Sequence, residues 1–294
     1  MIPPRVSFIV ITHTRAEWLP GALESIRRQT IDSREIVVVV NGPDQGTEQV
    51  LLAHRGEIRT TTLDRNRGVG AGRNAGIALA RGEILFFLDD DAELRDPDTA
   101  MRLLTHFERD PELGVVGFLV IDAATGAIES RCLPFRNKRV PQGPTTACYF
   151  AGGACAIRRR VFDRVGLFDE SLFYGGEEPD LSYRLLEAGF RILFDPSVAM
   201  LHYAVGGRSE SFALYFFARN RPWVALRHLP LLCCVTHIIG WWAWGLANGF
   251  RQRTMAAALR GIRDCVIGMP AIWRERRPIS NPTRRLIARN SGRL

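Results

Sequence analysis

The first ninety residues constrain the fold most. Residues 6–12, 35–40 and 83–88 are apolar, largely β-branched runs, and residues 57–63 make a further strand candidate. Such runs predict buried strands. Between them lie helical patterns at 15–29, 46–54 and 70–80. In the first, Trp18, Leu19, Ala22, Leu23 and Ile26 fall on one face. Asn41-Gly42-Pro43 marks a turn, and Gly82 reads as the C-cap of the third helix. Apolar strands alternating with helices predict an α/β fold, a parallel sheet covered on both faces. Ligands of such sheets sit beyond the carboxyl ends of the strands. That rule puts residues 12–15, 41–44, 64–72 and 89–91 on one rim.

The second half is less regular. Helices are expected over 96–109, 159–165 and 180–188, and strands over 113–121, 154–157 and 191–194. Residues 134–146 carry Pro, Gly, Arg and Lys without an apolar period, which predicts a mobile loop.

A chain of 294 residues, 46% hydrophobic and 24% charged, is large enough for one big domain or a domain with an appendage. The net charge of +8 suits phosphate-bearing ligands, nucleic acid or an anionic membrane. Arginines concentrate in 251–293. Nucleic acid explains the charge but not the acidic rim, so no nucleic-acid partner is expected. The six cysteines form no Cys-x-x-Cys pair and no zinc-type spacing, which predicts free thiols in a reducing compartment. The apolar run at 6–11 is too short for a signal peptide, so the catalytic part is expected in the cytoplasm. Residues 229–250 lack Asp, Glu, Lys and Arg and contain Trp241, Trp242 and Trp244. This stretch fits an interfacial helix, a transmembrane helix or a buried core helix, in that order, because tryptophans beside arginines favour the headgroup region. Residues 255–273 form an amphipathic pattern studded with Arg260, Arg263 and Asp264.

The chemistry begins at Asp89-Asp90-Asp91. Three adjacent carboxylates at a strand end repel one another and call for a cation. Oxygen ligands suit Mg2+ or Mn2+. In extended backbone Asp89 and Asp91 point one way and Asp90 the other, so the outer pair can share a site; a solvated acidic turn is the plainer alternative. Upstream, 66–76 is rich in Gly and carries Arg73 at a helix start, where backbone and guanidinium can meet phosphate. Gly70-Ala71-Gly72-Arg73-Asn74-Ala75 also fits a dinucleotide fingerprint, but it does not follow the first strand as that motif requires. Downstream, Tyr174-Gly175-Gly176-Glu177-Glu178-Pro179-Asp180 places three carboxylates after a flexible turn. They can supply a general base for a hydroxyl acceptor, or they simply open a helix.

Together, 6–12, 66–76, 88–91, Gly152-Gly153, 165–170, 177–181 and 196–202 resemble the family 2 glycosyltransferases with the GT-A fold. The resemblance covers roughly residues 5–225. The rest, 226–294, loosely resembles the helical, membrane-associating tails of some members. The resemblance implies an inverting transferase that moves a hexose or deoxyhexose from a nucleoside-diphosphate sugar to a saccharide or lipid-linked acceptor, with Mg2+ or Mn2+. It implies a location at the cytoplasmic face of the plasma membrane, peripheral or anchored by the tail. Asp91, with Asp89 and His202, would hold the metal. Glu178 would be the base, with Glu177 and Asp180 in the same catalytic segment. Thr12, His13, Arg15, Glu17, Arg67, Arg73, Asp89, Asp90 and Arg208 would contact the donor. Gly152, Gly153 and Tyr174 would line the acceptor side. Many members carry an Asp after the second strand that reads the nucleobase; Asn41 or a backbone group must substitute here. The base is Glu where the family has Asp, one methylene longer. The alternatives are a nucleotidyltransferase on a similar sheet, separated by pyrophosphate release, and an inactive membrane-bound scaffold.

Overall fold

The computed structural model describes residues 4–204 and 209–291. Three β-α units open the chain: β1 (Val6–Thr12), α1 (Leu19–Arg27), β2 (Arg34–Val40), α2 (Gln45–Leu52), β3 (Ile58–Thr62) and α3 (Gly68–Leu79). There follow β4 (Ile84–Asp89), β5 (Ala92–Leu94), α4 (Thr99–Arg109), β6 (Leu113–Asp122), β7 (Thr145–Ala147), β8 (Ala154–Arg158), α5 (Arg159–Val165), α6 (Glu177–Glu187) and β9 (Arg191–His202). Four helices close the chain: α7 (Glu210–His228), α8 (Leu231–Arg251), α9 (Met255–Arg274) and α10 (Asn281–Ser291).

Among the described residues the strands form one nine-stranded sheet, ordered β3-β2-β1-β4-β8-β6-β9-β5, with β7 paired to β9. Alternation along each strand divides the core between the two faces. Ile9, Val37, Leu85 and Phe87 pack on one side; Phe8, Val10, Val38, Phe86 and Leu88 pack on the other. The expected parallel pairing holds for β1 to β4. Beyond β4 the sheet is mixed, because β8 runs antiparallel to both β4 and β6.

Several boundaries differ from expectation for local reasons. α1 starts at Leu19, since Pro20 is tolerated only in a first turn, and this leaves 15–18 as a loop on the rim. Gly82 does not cap α3. Its N–H donates to Ser7 Oγ at 2.7 Å, and a Cβ there would lie 2.6 Å from the Ser7 nitrogen. Strand β9 runs to His202 instead of ending near 194, because β6 and then β5 extend its pairing. The end of the expected 134–146 loop enters the sheet as β7. All six cysteines are free thiols.

The closing helices pack on the α6 side of the sheet. Gly261 on α9 lies against the Tyr215 backbone of α7, and Trp242 Nε1 on α8 donates to the Ala218 carbonyl of α7 at 3.2 Å. Helix α8 is long and apolar enough to cross a bilayer by length and composition. It is not a buried core helix, since only 17% of its most apolar window is covered. Leu231, Leu232, Val235, Ile239 and Phe250 are exposed.

Candidate active site

The strand pairings assemble the acidic cluster. β4 ends at Asp89, paired in register with Ile11 of β1. The chain then turns into β5, whose Ala92 pairs with His202 of β9, and the Tyr203 N–H donates to the Asp91 carbonyl at 2.9 Å. Asp89, Asp91 and His202 therefore converge, although more than a hundred residues separate the His from the acids. One ligand atom from each lies within 4.8 Å of the others. Two hard carboxylates and an imidazole suit Mg2+ or Mn2+.

Electrostatics sharpen this picture. Arg15 Nη1 donates to Asp91 Oδ2 at 2.6 Å and to Asp90 Oδ1 at 3.3 Å. Burial opposes ionisation of Asp91, but His202 and Arg15 hold its carboxyl below the usual range. Asp90 is buried in the turn after β4 and shares the Arg15 nitrogen with Asp91, so the alternation expected of extended backbone does not carry through the triplet. Burial pushes Asp90 up to about 6, repulsion from Asp91 and Asp89 adds to this, and Arg15 and Thr12 oppose it. His202 is pushed up to about 9, chiefly by Asp91 and then, against burial, by Glu129. Glu129 Oε1 lies 2.5 Å from His202 Nδ1. It thereby orients the ring so that Nε2 faces Asp91 at 3.6 Å.

Glu129 had no signal in the sequence. It follows a turn whose Ile128 bridges back to Ile121, and the Glu129 N–H donates to the Val120 carbonyl at 2.9 Å.

The candidate base sits in the first turn of α6. The approach is tightly bent, with Phe173, Gly175 and Gly176 all in the left-handed region at φ of 58°, 69° and 123°. Asn220 on α7 holds this bend. Its Nδ2 lies 2.6, 2.8 and 2.9 Å from the carbonyls of Leu172, Tyr174 and Gly175. Sequence reasoning passed over Asn220, because nothing marks a polar residue in a helix as a clamp for a loop forty-odd residues upstream. Glu178 is half-buried, and its Oε1 lies 3.5 Å from Arg73 Nη1. Burial and the neighbouring Glu178 push the Glu177 carboxyl up, against Arg73.

Several assignments change. Asp180 is not in the reaction space. It is 1% exposed, bonded to Arg184 (2.7 Å), His228 (2.7 Å) and Arg227 (3.0 Å). Despite burial, these partners hold its carboxyl far below the usual range. Arg73 does not face an open phosphate site. It is buried, with its guanidinium 5.3 Å over the Phe168 ring, and Glu178, Glu177 and Asp89 together outweigh the burial that opposes its charge. Gly152 and Gly153 make room for it. A Cβ on Gly152 would overlap the Arg73 guanidinium, and one on Gly153 would overlap the Asp89 carboxylate. Their smallness leaves space for the charge cluster. Asn41 is buried and braces the loop before α3, its Nδ2 bonded to the Gly68 carbonyl at 2.9 Å and its Oδ1 to the Arg67 N–H at 3.0 Å. Each end of the carboxamide thus holds the loop backbone.

The remaining expected residues are placed as follows. The Arg67 side chain reaches Glu170 at 2.8 Å. The glycines of α3 pack the helix closely, Gly72 against Ile11 and Gly76 against Ile9, so they bring α3 to β1 instead of cradling a ligand. His13 and Glu17 are exposed on the loop after β1, where Thr14 is held at φ 54°, a strained conformation of the kind that collects at functional sites. Tyr174 packs among Phe212, Phe216 and Phe217 of α7. Arg208 lies outside the described residues.

A mixed sheet with an acidic strand end, a His brought across from β9 and a carboxylate helix start defines a GT-A sugar-transfer fold. Residues 7–166 match the model of glycosyl transferase family 2. The chain belongs to that family. It is 27% identical over 255 residues to the O-antigen biosynthesis protein RfbC of Myxococcus xanthus, covering 77% of this chain and 20% of that one. It is 24% identical over 288 residues to the N-acetylglucosaminyl-diphospho-decaprenol L-rhamnosyltransferase of Mycobacterium tuberculosis, covering 84% and 90%. The chain spans 20% to 30% of the length of three of the curated relatives it matches. Among solved structures, the mannosyltransferase PcManGT of Pyrobaculum calidifontis, in complex with GDP-Man and Mn2+, shares the fold at a TM-score of 0.59 and 22% identity, covering 98% of this chain and 84% of that one.

Proposed function

We propose that the protein transfers a hexose or deoxyhexose from a nucleoside-diphosphate sugar to a hydroxyl of a glycan or lipid-linked glycan, with inversion at the anomeric carbon. The observation that carries this is the convergence of Asp89, Asp91 and His202 on the rim, with Arg73 tying that rim to Glu178. Asp89, Asp91 and His202 would hold Mg2+ or Mn2+, which when bound supplies positive charge for a leaving diphosphate.

The chain's own groups perform the rest. Arg15 fixes Asp91 and Asp90, and the loop after β1 meets the nucleoside. Glu178 accepts the proton of the acceptor hydroxyl as that oxygen attacks the anomeric carbon. The bond to the diphosphate oxygen breaks in the same displacement, so the configuration inverts and no sugar-enzyme intermediate forms. Arg73, 3.5 Å away, aims Glu178, and burial of Glu177 leaves Glu178 as the more accessible carboxylate of the pair and the base.

The relatives' names, O-antigen biosynthesis and rhamnosyl transfer to a lipid diphosphate, support a role in cell-envelope polysaccharide synthesis. The exposed apolar face of α8 and the arginine-rich tail, 226–294, support attachment to the cytoplasmic leaflet. The test is nucleoside-diphosphate release from a panel of nucleotide sugars with membrane extract as acceptor, in Mg2+ or Mn2+ and again with chelator. Metal-dependent release from one donor, lost in Asp91→Ala, supports transfer. Pyrophosphate from a nucleoside triphosphate instead would overturn it.

A further inference from the structure

Between the sheet and the closing helices lies a cavity of about 600 Å³. Arg131, Arg136 and Arg221 line it, together with Tyr149, Pro179 and Trp241. Thr12, Arg15, Asp90 and the three candidate metal ligands do not. The cavity nevertheless adjoins the reaction space on two sides. Arg131 pairs at 2.6 Å with Glu129, which holds His202. Pro179 follows Glu178 directly, and Arg221 stands close enough to Glu177 to favour its charged form.

Arg221 is the informative residue. It pairs with no carboxylate among the described residues. Its Nε is buried without a hydrogen-bond partner. The guanidinium lies 5.3 Å over Trp241 and 5.5 Å over Phe217, so the rings fix its plane and leave its charge to a ligand. With Arg131 and Arg136 it makes a chamber suited to phosphate oxygens.

The chamber does not end there. His237 and Trp241 also line a second cavity of about 430 Å³, on the surface of α8, with Gly240 and Trp244. Of the residues that line this groove, Trp244 is exposed and Trp241 half-buried, so it offers two indole faces at the surface. A cationic chamber beside the base thus continues, through His237 and Trp241, into a tryptophan-lined groove on α8. A free phosphate or a nucleotide has no use for the groove, and a neutral lipid has none for the arginines.

We propose that chamber and groove together bind the acceptor as a lipid-linked phosphate or diphosphate, its phosphate against Arg131, Arg136 and Arg221 and its chain over Trp241 and Trp244. This rests on the glycosyl-transfer function above, because the acceptor hydroxyl must reach Glu178.

The test is calorimetric titration of the full chain with farnesyl diphosphate, farnesol and inorganic diphosphate, with chelator present so that no bound metal attracts diphosphate. Farnesyl diphosphate should bind at least tenfold tighter than either fragment. Arg221→Gln and Trp241→Ala should each weaken it about tenfold. Arg136→Gln, at an exposed position, should act in the same direction and decides the matter if the buried variants do not fold. Inorganic diphosphate binding as tightly as farnesyl diphosphate would reduce the site to one for free phosphate. Equal binding of farnesol would leave only an apolar groove. Unchanged affinity in the variants would place the lipid elsewhere. No donor is present in these titrations, so their failure leaves donor turnover standing. Intact lipid binding without nucleoside-diphosphate release would sink the transfer function instead.

Discussion

Replacing Asp180 by Asn separates structural from catalytic carboxylates in α6. Asp180 is 2% exposed at its side chain and receives Arg184, Arg227 and His228, which are 21%, 10% and 4% exposed. Arg227 also reaches Asp169 at 2.7 Å and Glu275, which caps the end of α9, at 2.7 Å. The carboxylate therefore holds α6, α7 and α9 to one another through buried charge. Removing one partner of such a group costs about 3–5 kcal/mol, because the other charges stay buried and uncompensated. The Asn oxygen still accepts one hydrogen bond, which puts Asp180→Asn near ~3 kcal/mol. At roughly 2–4 °C per kcal/mol for a chain of this size, the melting temperature should fall by about 6–12 °C. Turnover per folded molecule at low temperature should change less than threefold. The folded carboxyl titrates below its ordinary 3.8, so its contribution is complete above about pH 5 and is lost as pH falls toward the folded value. The acid limb of the wild-type stability curve should accordingly be steeper than that of the variant. Calorimetric melting across pH 3–8, with turnover on the same samples, measures both. An unchanged melting temperature with abolished turnover would refute the assignment and return Asp180 to the chemistry.

Glu178→Gln should lower turnover by about 10²–10⁴ while nucleotide-sugar affinity, followed by calorimetry, stays within a few-fold. Gly153→Ala should displace the Asp89 carboxylate and weaken Mn2+ binding, read by paramagnetic resonance, whereas an acceptor-lining glycine would change only the acceptor KM. Glu129→Gln should cost about 10–100-fold in Mn2+ affinity through loss of His202 orientation; Arg131→Gln, which leaves Glu129 in place, should cost much less.

What the sequence determined by itself was the local chemistry. The apolar runs specified β1, β2 and β4, because a strand buried on both faces must be apolar at nearly every position. Strand polarity then put Thr12, Arg15 and the Asp triplet on one rim, but the period of two stops at Asp89, where β4 ends and Asp90 and Asp91 form a turn gathered by Arg15. Only tertiary structure decided which groups meet. His202 reaches the acids because β5 pairs with the far end of β9, and Glu129 reaches His202 because a turn folds back along β6. Asp180 and Glu178 look alike in the chain, two residues apart. On α6 that spacing turns them to different faces, one into Arg227 and His228 of α7 and Arg184 of its own helix, the other toward Arg73 and the site. Gly152 and Gly153 read equally well as a flexible acceptor loop or as space for other atoms, and only the positions of Arg73 and Asp89 distinguish the two. Side-chain period is local, whereas burial and charge pairing are properties of segments brought together across the sheet.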